Sequence, residues 1–210
     1  MLQTDAPLAI PLWINGHAYL TLAPAFQDVR NPYSREVLRR TPLCGAAEAQ
    51  KAVEAAQAAL PLWCAQLAST RAALLSAVGE ALAGYSGHFA RLIVEETGKE
   101  SPAAETEVSK AVALLCGSLS VNASGAAGVV GIVGNAAAPL LDPLLLAVPA
   151  LMAGAVVVIK PNPEMPSAIF ALAELTGRCA FPGGVFSILH GAEAAVDGLR
   201  AVEGVSVLFA

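Results

Sequence analysis

The run Gly-Val-Val-Gly-Ile-Val-Gly-Asn-Ala-Ala-Ala-Pro over residues 128–139, with Ala-Val-Val-Val-Ile-Lys-Pro-Asn-Pro-Glu-Met-Pro over 155–166, decides how the chain reads. Each begins with β-branched residues in a stretch too short for a helix and with no alternating polar position. That is the pattern of a strand buried on both faces, as in a parallel sheet. Between them, Leu140 to Met152 reads as a helix despite its prolines, and the two strands become Val129–Val133 and Ala155–Ile159. Beyond them, Pro166 to Cys179 fits a helix with proline near its start. Val185 to Leu189 is a third strand, Ala192 to Ala201 a helix, and Val205 to Phe209 a fourth strand. Strands alternating with helices of this length imply right-handed βαβ units on a parallel sheet.

Toward the N-terminus the texture changes. Residues 1 to about 43 read as strand and loop, with an Asn15-Gly16 turn signal after Pro11-Leu-Trp-Ile and a second turn at Arg30 to Ser34. From Ala46 the rhythm is helical: Ala49, Val53, Ala56 and Leu60 recur at helical spacing until Pro61, which is expected to stop the run. A second helix is expected from a cap at Ser69 or Thr70 to Gly84, a third through Phe89, Leu92, Ile93 and Glu95-Glu96 to Thr97-Gly98, and a fourth from Glu105 to Gly117. The chain is therefore α/β, with an N-terminal arm and helical lead-in over 1–127 and a partial dinucleotide-binding layer over 128–210, packed as one globular unit.

Composition excludes several function classes. The 210 residues are 56% hydrophobic and 14% charged, too apolar for a disordered segment. A net charge of -5 with no Lys/Arg run offers no footprint for nucleic acid or for an anionic membrane surface. The uncharged stretch Ala111–Leu141 and the apolar run Pro143–Ile159 are long enough to span a bilayer, but the first is broken by glycine, serine and asparagine and the second by Pro149 and Gly154, so no membrane span is expected. Cys44, Cys64, Cys116 and Cys179 are scattered without a C-x-x-C pair or a histidine cluster, so neither a metal nor a redox dithiol is expected. The N-terminus lacks the basic region of a signal peptide, and the default compartment is the cytoplasm.

A parallel sheet binds ligands beyond the carboxyl ends of its strands. Here those places are Gly134–Pro139, Lys160–Pro166 and His190-Gly191. Lys160 is the only cation between Lys110 and Arg178, placed to hydrogen-bond a ribose hydroxyl or a 2′-phosphate, or else to be the solvated end of its strand. No G-x-G-x-x-G fingerprint follows the first strand, which argues against an ordinary Rossmann dehydrogenase. His17, His88 and His190 read as surface or turn residues. Glu95-Glu96 reads as a helix end, because neighbouring side chains on a helix diverge by about 100°.

With these pieces in order, the chain resembles the aldehyde dehydrogenase superfamily. The resemblance rests on Trp13-Ile-Asn-Gly16, Asn31 to Val37, Ala46 to Trp63, Arg71, Glu95-Glu-Thr-Gly-Lys99, Gly128 to Val133, Pro139-Leu140 and Ala153-Gly154. It continues through Val156 to Pro161, Pro166, Phe181 to Phe186 and Val205 to Phe209. It implies the N-terminal, NAD(P)-binding part of such an enzyme, with a Rossmann-like domain that binds NAD or NADP without the common glycine fingerprint. Val133, Gly134, Lys160, Asn162 and Pro163 fall on the adenosine-ribose side of the implied site, and Glu164 faces the same region.

Three departures shape the functional expectation. Where the family carries an asparagine that helps hold the oxyanion, this sequence has Ala137, and a methyl group donates no hydrogen bond; losing one such donor costs about a hundredfold or more in rate. The connection Gly117–Ala127 is shorter than the segment from which the family builds its oligomerisation strands. The sequence ends at Ala210, before the family's pyrophosphate-binding helix, general base and cysteine nucleophile. The expectation is thus a non-catalytic relative with no catalytic residue of its own and at most weak NAD or NADP binding, of order ~0.1–1 mM. It acts through a protein partner or self-association along the edge strand Val205–Phe209. The alternative is an NAD(P)-binding portion of an aldehyde oxidoreductase completed by another chain.

Overall fold

The computed structural model describes residues 7–23, 25–117 and 128–210. Two short antiparallel strands, β1 (Leu12–Ile14) and β2 (His17–Tyr19), form a hairpin. Its turn residues Asn15 and Gly16 both have positive φ, 55° and 77°, the left-handed pair that a tight hairpin requires and that the Asn-Gly dipeptide supplies at least strain. A separate ribbon joins β3 (Phe26–Arg30) to β4 (Val37–Pro42). Its turn is held by the Asn31 side-chain oxygen, which accepts from the Tyr33 and Ser34 backbone N–H groups at 2.9 and 3.0 Å.

Four helices follow: α1 (Ala46–Cys64), α2 (Ala68–Gly84), α3 (Ser86–Thr97) and α4 (Ser101–Cys116). The expected stop at Pro61 is corrected: α1 runs through it to Cys64. Proline there forfeits one backbone bond on the exposed side of the helix, while Trp63, fully buried, donates its indole N–H to the Leu151 carbonyl at 3.1 Å and packs 5.2 Å from the Phe181 ring. Burial of the indole holds the last turn that propensity would abandon. The cap expected at Ser69 or Thr70 is likewise corrected, since α2 starts at Ala68 with Leu67 as its flanking residue and no side-chain cap. The connection around Gly117–Ala127 lies, from residue 118 onward, outside the described residues.

The α/β layer appears in the expected order: β5 (Val129–Val133), α5 (Leu141–Met152), β6 (Val156–Lys160), α6 (Ser167–Arg178), β7 (Phe186–Ile188), α7 (Glu193–Ala201) and β8 (Val205–Phe209). Strands β5 to β8 are parallel, and the six-stranded sheet has the order β2-β1-β7-β6-β5-β8. The N-terminal hairpin is thus part of this sheet, with Trp13 of β1 antiparallel to Ile188 of β7. Helices α5 and α6 pack toward α2, α3 and α4, whereas α7 packs on α1 and β8. The chain moves one way from β5 to β7 and then returns past β5 to β8, so strand order reverses between β5 and β8. At such a reversal the loops after the strands part and leave a crevice. All five residues of β6 are buried, as its unbroken apolar run requires. Among the described residues no helix is long and apolar enough to cross a membrane.

Candidate functional site at the strand ends

The loop after β5 is fastened from three directions. Asn135 folds it back on itself, its side-chain oxygen accepting from the Ala137 N–H at 2.7 Å, while its amide nitrogen donates across the crevice to the Ala210 carbonyl at 2.6 Å. Lys99, just past the end of α3, reaches the Ala137 carbonyl at 2.5 Å and the Glu107 carboxylate at 2.6 Å. The other Glu107 oxygen accepts from the Leu140 and Leu141 N–H groups, at 3.0 and 3.3 Å, where α5 begins. A carboxylate at a helix N-terminus satisfies donors that have no partner within the helix and complements its dipole.

Val133 and Gly134 lie at the end of β5, where the strand order reverses, and both are half-buried. The Gly134 N–H donates to the Lys160 carbonyl at 2.8 Å, and a side chain at Gly134 would press on Pro143 and lie in ordinary contact with the backbone of residues 161 and 162. Lys160 is not a solvated strand end. It is buried, its ammonium donates to the Pro161 carbonyl at 3.0 Å, and burial holds its pKa below the ordinary lysine value, opposed by the carboxylate of Glu193. One of three ammonium protons is thereby used. Asn162 turns the next residues, accepting from the Glu164 N–H at 2.9 Å, and it and Pro163 stay half-exposed. The structure thus brings Val133, Gly134, Lys160, Asn162 and Pro163 to adjoining strand ends. Glu164, exposed, lines a separate concavity of about 290 Å³ with Asp28, Arg30, Arg35 and Thr97.

One further expectation is corrected. His190 is buried rather than on the surface, with one ring nitrogen 3.1 Å from the Pro11 carbonyl and its ring 6.1 Å from Phe170. Burial drives its pKa down to about 4, with the positive charge of Lys160 acting in the same direction. Glu96 lies in the last turn of α3, at a helix end as expected. It is buried, accepts from the Ser167 N–H at 3.1 Å and from the Ser167 hydroxyl, and lies 3.3 Å from Arg39, which also bridges to Glu95 at 3.0 Å. Burial raises its pKa to about 7 in spite of those donors. His17 and His88 are exposed, as expected.

The thiols do not gather here. Cys44 is buried, and burial with the nearby Glu48 charge pushes it to about 12; burial also raises Cys179. Cys64 packs beside Gly154, at the amino end of β6 and therefore opposite the crevice, and Cys116 lies on α4 against the Ser76 carbonyl. The sequence reading missed Asn135, Glu193 and the Lys99–Glu107 pair. Only Glu193 left a local signal, an acid in the first turn of a helix that follows a strand-end glycine.

Comparison with known proteins places the fold. Residues 23–208 match the aldehyde dehydrogenase family. Malonate-semialdehyde dehydrogenase 1 of Shouchella clausii is 29% identical over 206 residues, covering 89% of this chain and 42% of that protein. The crystal structure of lactaldehyde dehydrogenase from Escherichia coli has a TM-score of 0.89 at 27% identity, over 97% of this chain and 47% of that one. A putative methylmalonate-semialdehyde dehydrogenase from Sinorhizobium meliloti, complexed with NAD, shares the fold with a TM-score of 0.89 at 22% identity, over 98% of this chain and 46% of that one. The chain spans less than half the length of these relatives. With the family match running from just before β3 into β8, over most of the chain, the chain belongs to the aldehyde dehydrogenase family.

Proposed function

We propose that these 210 residues form a weak NAD(P)-binding and partner-associating module of the family and do not themselves oxidise aldehydes. The observation that carries the reading is the loop after β5. At the position where the resemblance calls for a donor to the oxyanion stands Ala137, whose carbonyl is occupied by Lys99 and whose side chain can donate nothing. The setting of the thiols supports the same reading, since a reactive thiolate needs an electropositive or helix N-terminal position.

The strand ends fit the adenosine-ribose end of a dinucleotide. Lys160 keeps two ammonium donors beyond its bond to Pro161, Asn162 and Pro163 form a half-exposed edge, and Val133 with Gly134 gives an apolar wall. When bound, the nicotinamide of such a cofactor supplies a hydride acceptor. The residues here only hold the ribose, and Glu193 near Lys160 offsets part of the attraction for phosphate. The relative complexed with NAD lends the fold to this reading.

Calorimetric titration of the purified chain with NAD and with NADP tests it, alongside Lys160→Ala. Saturable binding of order ~0.1–1 mM, weakened about tenfold in the variant while its melting profile stays cooperative, is the expected result. No binding at millimolar cofactor, or turnover of aldehydes by the chain alone at enzyme-like rates, overturns it. A second reading, in which another chain supplies the cysteine-bearing region, is favoured by the exposed Leu208 and Phe209 of β8 beside the crevice. It predicts aldehyde oxidation only when that chain is added.

A further inference from the structure

Away from the strand ends, a concavity of about 460 Å³ lies between the N-terminal hairpin and α1, a volume within the range of about 300–1,000 Å³ usual for small-molecule sites. We propose that it is a second ligand site, which takes a small organic carboxylate carried on an apolar tail.

Two periodicities build it. His17 and Tyr19 are two apart on β2 and so share one face of the strand, while Lys51, Ala55, Ala58, Ala59 and Leu62 follow one another along one face of α1. The strand face meets the helix face at its polar end. There the Lys51 ammonium donates to the Tyr19 hydroxyl oxygen at 2.8 Å. That contact uses one ammonium proton and leaves the phenol hydrogen to donate, so two donors converge on the cavity.

The acids that would ordinarily quench Lys51 are engaged elsewhere. Glu48 accepts from the Thr21 hydroxyl at 2.8 Å and from the Gly45 N–H at 3.1 Å, and Glu54 accepts from the Gln50 amide at 2.9 Å. Among the described residues Lys51 makes no ion pair within 4 Å. One cation beside one hydroxyl suits a singly charged carboxylate. A phosphate dianion would meet the residual fields of Glu48 and Glu54 with too little positive charge to offset them.

From Lys51 the floor is apolar. Ala55, Ala58 and Ala59 leave the room that larger side chains would fill, and Leu62 stands 75% exposed at the far end. Leu62 lies eleven positions along the helix from Lys51, about 16 Å, enough for a medium-length acyl chain. The facing wall is Asn15 and Gly183, packed so closely that a side chain on Gly183 would strike the Asn15 carbonyl.

Octanoate is the probe, titrated into the full chain by calorimetry, with octanol and inorganic phosphate as controls. Wild type is expected to bind octanoate saturably and at least about tenfold more tightly than either control. Lys51→Met and Leu62→Asp, both at exposed positions, are each expected to weaken octanoate about tenfold while leaving the melting midpoint and the NAD titration unchanged. Absence of saturation, a Lys51→Met variant that binds like wild type, or phosphate binding as tightly as octanoate overturns the proposal. The NAD titration keeps its failure separate from that of the dinucleotide site.

Discussion

Glu96 and His190 are buried ionisable side chains perturbed in opposite senses, and together they shape how stability depends on pH. Glu96 has its pKa raised from 4.5 to about 7, so between those values the folded chain holds a proton that the unfolded chain has released. Its contribution is full below about pH 4.5 and is lost as pH rises through about 7. His190 has its pKa lowered from 6.5 to about 4, so in that window the unfolded chain binds the extra proton. Its contribution is full above about pH 6.5 and is lost as pH falls through about 4. Each shift is worth on the order of 3 kcal/mol, and in wild type the two largely cancel between pH 4.5 and 6.5. Denaturant unfolding of Glu96→Gln and His190→Gln across pH 4–7.5 separates them. The Glu96→Gln profile is expected to rise with pH relative to His190→Gln, with a difference in slope of up to about 3 kcal/mol per pH unit; parallel profiles would show that neither group titrates as its burial implies. Neither role was legible in the sequence. Adjacent acids at a helix end look the same whether or not another helix begins against them, and a histidine after a strand looks the same whether or not Pro11, far away in the chain, covers it.

Helix α5 shows what the elements add. It carries two prolines and no basic residue in its last turn, yet it packs against β5 and β6. Its ends are held from outside: Glu107 accepts from the first N–H groups, and Arg71, buried, donates from two guanidinium nitrogens to the Met152 carbonyl at 3.1 and 2.9 Å. A third Arg71 nitrogen donates to the Gln66 carbonyl at 2.5 Å and so ties the α1–α2 turn to the same helix. Removing either side chain strands buried backbone groups, and each of Glu107→Ala and Arg71→Met is expected to cost about 2–4 kcal/mol. The sites lie at opposite ends of a helix about 18 Å long, so the double variant should equal the sum within about 0.5 kcal/mol. Denaturation midpoints measure all three. A loss under about 0.5 kcal/mol in either single variant would mean that water replaces these partners. The helices and parallel strands themselves were legible, because a run such as Val156–Ile159 can satisfy its apolar sides only between two helical layers. The exceptions were set by partners distant in sequence: Trp63 carried α1 past Pro61, and β7 drew β1 into the main sheet.

At the largest scale, the two sheet edges formed by the described residues differ. Strand β2 closes one side with three residues, too short to template much pairing. Strand β8 closes the other with five residues, in register with β5 throughout and ending in Leu208 and Phe209, 41% and 58% exposed. Arg200 lies over the Phe209 ring at 5.2 Å and covers only part of it. Neither proline nor an inward-pointing charge interrupts β8, the devices by which edges are commonly protected. Two copies joined antiparallel along β8 would form one continuous sheet about a two-fold axis and bury both aromatic rings. The purified chain is therefore expected to sediment as a dimer at about 10–100 µM, and the double variant Ser206→Lys/Leu208→Lys, at exposed positions, to sediment as a monomer with an unchanged circular dichroism spectrum. A wild-type chain that stays monomeric at about 100 µM, or a double variant that dimerises as wild type does, rules out β8 as the contact. Because Asn135 bridges the crevice to the Ala210 carbonyl immediately after β8, pairing along this strand also braces the loop that carries Ala137. Dimer formation and NAD binding should then be linked, with the monomeric variant binding NAD more weakly than wild type in the same calorimetric titration.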